Sequence, residues 1–236
     1  YPTALHIAEL GVAVRVDELR RLEQGRLGID VENAVSLFEV DTSMQLPTAQ
    51  RDAVKNALTH PLSVITGGPG VGKTTTVRAI AEITKRHERT LLLCAPTGRA
   101  AKRLEESTGH SASTIHRLLD WQVGTMQFGH DTHNPLKGHV LVVDEVSMLD
   151  VQLAYNLFRA IPDSMHVVLV GDINQLPSVG PGQILRDIIE SNVVPVTRLS
   201  VIFRQQGESL IIRNAHALLH GETPTTGGED SDFYVI

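Results

Sequence analysis

The stretch Gly67-Gly68-Pro69-Gly70-Val71-Gly72-Lys73-Thr74 limits what this chain can fold into more than any other. It follows the apolar run Leu62 to Thr66 and precedes Lys73 to Arg86, whose apolar residues recur at helical spacing. Glycines let successive backbone N–H groups turn inward around an anion. A helix starting near Lys73 aims the positive end of its dipole at the same point. Strand, glycine loop and helix ending the loop in Lys-Thr match G-x-x-x-x-G-K-[ST], a cradle for the phosphates of a nucleoside triphosphate. The candidate binding set is Gly68, Pro69, Gly70, Val71, Gly72, Lys73, Thr74 and Thr75. Lys73 supplies a compact charge for the β and γ phosphates, and the Thr74 hydroxyl can bind Mg²⁺.

A second signal lies downstream. Val140-Leu141-Val142-Val143 is an apolar strand ending in Asp144-Glu145. The C-terminal ends of parallel strands open onto the crevice where ligands lie. Asp144 there can hold the metal, and Glu145 can orient and deprotonate an attacking water. The run His166 to Val170 leads into Gly171-Asp172-Ile173-Asn174-Gln175, where the Gln175 amide suits a γ-phosphate oxygen or a water, or belongs to an ordinary polar turn. Arg204 is a candidate arginine finger, because a planar fork suits charge spread over a transferring phosphoryl group; a lone arginine is also a common surface residue.

From Leu46 onward, strand and helix patterns alternate. Helices are expected over 47–58, 73–86, 98–107, 151–160 and 182–190. Strands are expected over 62–66, 90–95, 139–143, 166–170 and 193–197. The strands are short, continuously apolar and β-branched, as in a parallel sheet buried on both faces by helices. The segment 120–138 breaks this rhythm. Trp121-Gln122-Val123 and Met126-Gln127-Phe128 flank Gly124-Thr125, the pattern of a β-hairpin with a two-residue type II′ loop. Before Leu46, Val12 to Leu27 has helical spacing and Val35 to Val40 reads as a short strand.

The 236 residues suffice for one large α/β domain, or one domain with an appendage. With 42% hydrophobic and 20% charged residues the chain is globular in balance, and no apolar run is long enough for a membrane span. The single cysteine, Cys94, excludes an internal disulfide and a cysteine-based zinc cage, and suits a reducing cytosol. The net charge of −6 argues against a broadly basic nucleic-acid surface and leaves room for a local binding groove.

In order, Leu46-Pro47-Thr48-Ala49-Gln50, the glycine loop, Ala95-Pro96-Thr97-Gly98-Arg99, Thr114-Ile115-His116-Arg117, Asp144-Glu145-Val146-Ser147-Met148, Gly171 to Gly180 and Phe203-Arg204-Gln205 resemble superfamily 1 DNA helicases of the RecD-like, 5′→3′ branch. The resemblance covers about 46–224 and implies a RecA-like P-loop NTPase fold, with the hairpin as a small insertion at the duplex fork. It implies ATP as nucleotide, with Gln50 on the adenine and Mg²⁺ on Thr74 and Asp144. It further implies Lys73, Glu145, Gln175 and Arg204 as the catalytic set, Arg204 coming from a second motor domain. Contacts to single-stranded DNA would come from Pro96, Thr97, Thr114 and His116. The implied division is 1–45 an upstream remnant or linker, 46–200 the first motor domain, and 201–236 the truncated start of the second. On that division the chain is a piece of a longer cytosolic protein of recombination and repair, with nuclease or helicase subunits as possible partners and no membrane. The helicase half of a conjugative relaxase, a P-loop NTPase or kinase of another class, and a non-catalytic scaffolding subunit of a repair complex are the competing readings.

Overall fold

Uninterrupted apolar runs of four to six residues have no wet face, so they form strands only where helices cover both sides of a sheet. The computed structural model describes residues 2–201, 210–219, 221–226 and 232–234. In it the strands are β1 (Leu62–Thr66), β2 (Leu91–Ala95), β3 (Ser113–Thr114), β4 (Trp121–Gln122), β5 (Gln127–Phe128), β6 (Val140–Val143), β7 (His166–Gly171) and β8 (Val196–Arg198). The helices are α1 (Thr3–Arg20), α2 (Val31–Thr42), α3 (Thr48–Thr59), α4 (Lys73–Arg86), α5 (Gly98–Thr108), α6 (Ile115–Leu118), α7 (Val151–Ala160), α8 (Ile184–Ser191) and α9 (Leu210–Leu219). Six strands form one parallel sheet in the order β3-β2-β6-β7-β1-β8. The expected α/β architecture, a parallel sheet with helices on both faces, is the observed one. Among the described residues no helix is long and apolar enough to cross a membrane.

Alternation along the strands splits the interior into two cores. Val167, Leu169, Leu141 and Val143 face one side, with α1, α7 and α8; Val168, Val170, Val140 and Val142 face the other, with α2, α3, α4 and α5. Each fully buried Leu, Ile or Val contributes roughly 1.5–3 kcal/mol. The two N-terminal helices belong to these cores. Val12, Val16 and Leu19 of α1 are buried against the α7 side, and Ala34, Val35 and Phe38 of α2 against the α3 and α4 side. The strand expected over 35–40 is therefore a helix. Asp30 caps α2 by accepting the N–H of Asn33, and burial of Ala34, Val35 and Phe38 follows the i, i+1, i+4 helical stripe while Leu37 and Val40 stay exposed.

Strands β4 and β5 pair antiparallel, Trp121 with Phe128 and Gln122 with Gln127, so the hairpin forms as expected. Its turn differs. The connection runs over four residues, 123–126, and the positive φ falls on Met126 (52°), not on Gly124 as a type II′ loop requires. The last strand starts later than its apolar pattern suggests. Pro195 has no N–H to donate and offers only its carbonyl, to the N–H of Val64 (2.9 Å), before β8 begins at Val196.

Candidate nucleotide-binding site

The chain leaves β1 for β2 on one side of the sheet and leaves β7 for β8 on the other. The strand ends around β1, β7 and β6 therefore border the crevice where the connections part. The glycine loop occupies it. Gly70 (φ 75°) and Gly72 (φ 91°) take the left-handed conformation, and α4 begins at Lys73 immediately afterwards. Gly67 is forced by proximity: a Cβ there would stand 2.5 Å from the Leu199 carbonyl oxygen and 2.7 Å from Val71 Cγ2.

Lys73 is half-buried, and its Nζ donates to the carbonyls of Gly67 (2.6 Å) and Gly68 (2.8 Å), folded back over its own loop. Burial lowers its pKa, opposed by the carboxylates of Asp172, Glu145 and Asp144. Burial also pushes the Asp144 carboxyl up to about 6, with Glu145 adding repulsion, while the N–H of Glu145 donates to Asp144 Oδ1 at 2.9 Å. Glu145 itself sits at φ 54°, a strained conformation for a residue with a Cβ. The strain turns the chain directly from β6 into the one-turn 3-10 helix Val146–Met148. Thr74 is exposed on the first turn of α4, with Thr75 beside it half-buried. Gln50, on α3, is 2% exposed; its amide N–H reaches Val71 O at 3.4 Å, and its buried carbonyl oxygen has no partner among the described residues. An orphaned amide oxygen over the cradle fits a base carrying an amino group, and a buried carboxyl needing a counter-cation fits a divalent metal beside the phosphates.

The structure thus brings Lys73, Thr74, Asp144, Glu145 and Gln50 to one end of the sheet. Gln175 lies exposed on the loop after β7, at the edge of a cavity it shares with Ser147 and Asp172. Arg204 lies outside the described residues. The four strand-contact candidates also come together. Ala95 pairs with Thr114 across β2 and β3, which puts Pro96 and Thr97 beside Thr114 at the same end of the sheet. Thr97 caps α5 by accepting the Ala100 N–H at 3.2 Å, and Thr114 caps α6 by accepting the Arg117 N–H at 3.2 Å. His116 packs within an aromatic group, its ring 5.7 Å from Phe128 and 6.2 Å from Trp121. Trp121 and Phe128 lie 4.7 Å apart, so these rings hold the hairpin together.

Sequence reasoning assigned no role to Asp172. It is 3% exposed, is the carboxylate acting most strongly on Lys73, and accepts the Asn174 N–H on Oδ1 at 3.0 Å. Its signal was there to read: a carboxylate following a glycine at the end of a buried strand, as Asp144 follows Val143.

A glycine-lined anion cradle facing strand-end acids, on a doubly covered parallel sheet, defines a RecA-like P-loop nucleotide-binding protein. The model of the AAA domain family matches residues 50–181, and the chain belongs to that family. It is 45% identical over 168 residues to the ATP-dependent RecD2 DNA helicase of Deinococcus radiodurans, covering 71% of this chain and 23% of that protein. It is 39% identical over 165 residues to the RecBCD enzyme subunit RecD of Mycolicibacterium smegmatis, covering 60% and 30%. The chain therefore spans 23% to 30% of the length of these curated relatives. Among solved structures, the Pif1 helicase from Candida albicans shares the fold, with a TM-score of 0.54 and 24% identity over 77% of this chain and 45% of that one.

Proposed function

We propose that this chain is the ATP-hydrolysing motor portion of a DNA helicase that moves 5′→3′ on single-stranded DNA. The observation that carries the reading is Lys73, held in the glycine loop after β1 and facing the acids Asp144, Glu145 and Asp172 at the ends of the neighbouring strands. The identity to RecD-type helicases over most of the motor region supports the choice of nucleotide and nucleic acid.

Backbone N–H groups of Gly68 and of Gly70 to Thr75 surround the phosphates, and Lys73 exchanges its two loop carbonyls for β and γ oxygens. Gln50 accepts from the adenine amino group. Thr74 and Asp144 would hold Mg²⁺, which would supply positive charge to offset that of the phosphates. Glu145 takes a proton from the attacking water as its oxygen bonds to the γ phosphorus. The bond to the bridging oxygen breaks, and ADP keeps that electron pair. Gln175 orients the water, and Arg204 reaches the γ-phosphate from a second motor domain. Pro96, Thr97, Thr114 and His116 meet the DNA strand, with the hairpin at the duplex fork. Residues 46–200 form the first motor domain and 201–236 begin the second; the parent works in the cytosol, alone or with nuclease or helicase subunits. A cleft between two such domains must open and close for stepping, so the present 236 residues bind nucleotide without unwinding DNA.

Fluorescent mant-ATP with Mg²⁺ should bind this chain and lose at least tenfold in affinity on Lys73→Ala. A strand-displacement assay should show no unwinding. Equal affinity in the lysine variant, or robust unwinding, refutes the corresponding part of the reading.

A further inference from the structure

Resting on that nucleotide-site reading, we infer that Ser147 is a positioning residue for Gln175. Its hydroxyl receives the Gln175 carboxamide when nucleotide is bound, tying the turn that carries Glu145 to the loop at the end of β7.

Ser147 stands two residues past Glu145, in the one-turn helix Val146–Met148. Its Oγ is buried and has no hydrogen-bond partner among the described residues. A buried hydroxyl without a partner is costly and calls for one. Ser147 lines a cavity of about 240 Å³ together with Asp172, Gln175, Gln183, Leu185 and Arg186. That volume takes a carboxamide without displacing any neighbour. Gln175 is exposed and lines the same cavity.

Asp172 organises the backbone that would move. Its Oδ1 accepts the Asn174 N–H at 3.0 Å and its carbonyl accepts the Gln175 N–H at 3.2 Å, so residues 173–175 pivot on one buried carboxylate. That carboxylate is also the one acting most strongly on Lys73. When Lys73 turns from the loop carbonyls to a phosphate, the charge facing Asp172 moves, and the segment that Asp172 anchors feels it. Gly171 keeps the other wall close: a Cβ there would meet Leu185 Cδ2 at 2.7 Å and the Ser147 backbone nitrogen at 3.2 Å. The turn after β6 and the end of β7 are thus packed backbone to backbone, and a hydrogen bond between the Ser147 hydroxyl and the Gln175 carboxamide spans them without a shift of the sheet.

The test uses this chain with Mg²⁺ and AMP-PNP, reading amide hydrogen exchange at residues 173–175 and affinity by mant-nucleotide fluorescence. Nucleotide should slow exchange at these amides at least tenfold in the unsubstituted chain. Ser147→Ala should return the rate to within twofold of the nucleotide-free value while affinity stays within threefold; Ser147→Thr, which keeps the hydroxyl, should retain the protection. Gln175→Ala, on an exposed loop that bears little on folding, should also lose it. Retained protection in either alanine variant overturns the inference while the nucleotide site stands. Failure of the unsubstituted chain to bind mant-ATP, or undiminished binding by Lys73→Ala, instead brings down the nucleotide site and this inference with it.

Discussion

Single residues at the crevice carry constraints of opposite kinds. Gly67 is a matter of space. Its missing Cβ leaves room for the Leu199 carbonyl and Val71, and a backbone oxygen cannot rotate away as a side chain would. Gly67→Ala should therefore destabilise the fold by about 1–3 kcal/mol, the usual cost of overpacking, seen as a lower urea midpoint at unchanged slope. His166 is a matter of charge. It is fully buried at the start of β7. Burial, with Arg26 and His60 nearby, holds its pKa down to about 4. Between pH 6.5 and 4 the unfolded chain takes up a proton that the folded chain refuses, so stability falls as the solution is acidified through that window. From pH 7.5 to 5 the loss from this group should be about 2 kcal/mol, read by urea unfolding at each pH. His166→Leu should flatten that part of the profile; an unchanged slope would disprove the assignment. The histidine reads from the sequence only as the first residue of an apolar strand, and nothing there reveals that a second layer shuts it away from water.

At the scale of elements, the strands and central helices follow their patterns closely. β1, α4 and α7 span the residues their periodicity marks, because each sits between strong punctuation and buries a stripe or run of one type. The N-terminal elements show where pattern alone is ambiguous. Val35 to Val40 is short and apolar enough for a strand, yet Asp30 supplies an N-cap and a helix lets Phe38 and Val35 share one buried face. Replacing Leu19 of α1 or Phe38 of α2 by alanine should cost about 2–5 kcal/mol each, since both are essentially inaccessible and belong to the two sheet cores. Urea unfolding followed at the sheet should shift for both variants. A shift confined to probes on the N-terminal helices would mean that they unfold as a separate unit. The hairpin turn differs from its local pattern: Gly124-Thr125 reads as a two-residue loop, whereas pairing of Trp121 with Phe128 and Gln122 with Gln127 sets the register and leaves four residues to close it.

At the scale of the whole molecule, nucleotide and stability are linked. A ligand present at a hundredfold its dissociation constant stabilises the folded state by about 2.7 kcal/mol. For a chain of this size that is a rise in Tm of roughly 5–10 °C. Mg²⁺ with AMP-PNP should produce it, and Lys73→Ala should remove it; a thermal shift that survives the substitution would place the nucleotide elsewhere. By itself the amino-acid sequence determined the strand-loop-helix cradle, the order of its acids and the doubly covered parallel sheet, because these depend on glycine conformation, local periodicity and residues close in the chain. Folding in three dimensions decided what adjacency in space controls. It set the strand order that puts β7, and with it Asp172, between the glycine loop and Asp144. It drew α1 and α2 onto opposite faces of the sheet, and it enclosed the Ser147 hydroxyl and the Gln50 carbonyl without partners among the described residues. Burial and field are sums over every element packed around an atom, and no stretch of sequence contains that sum.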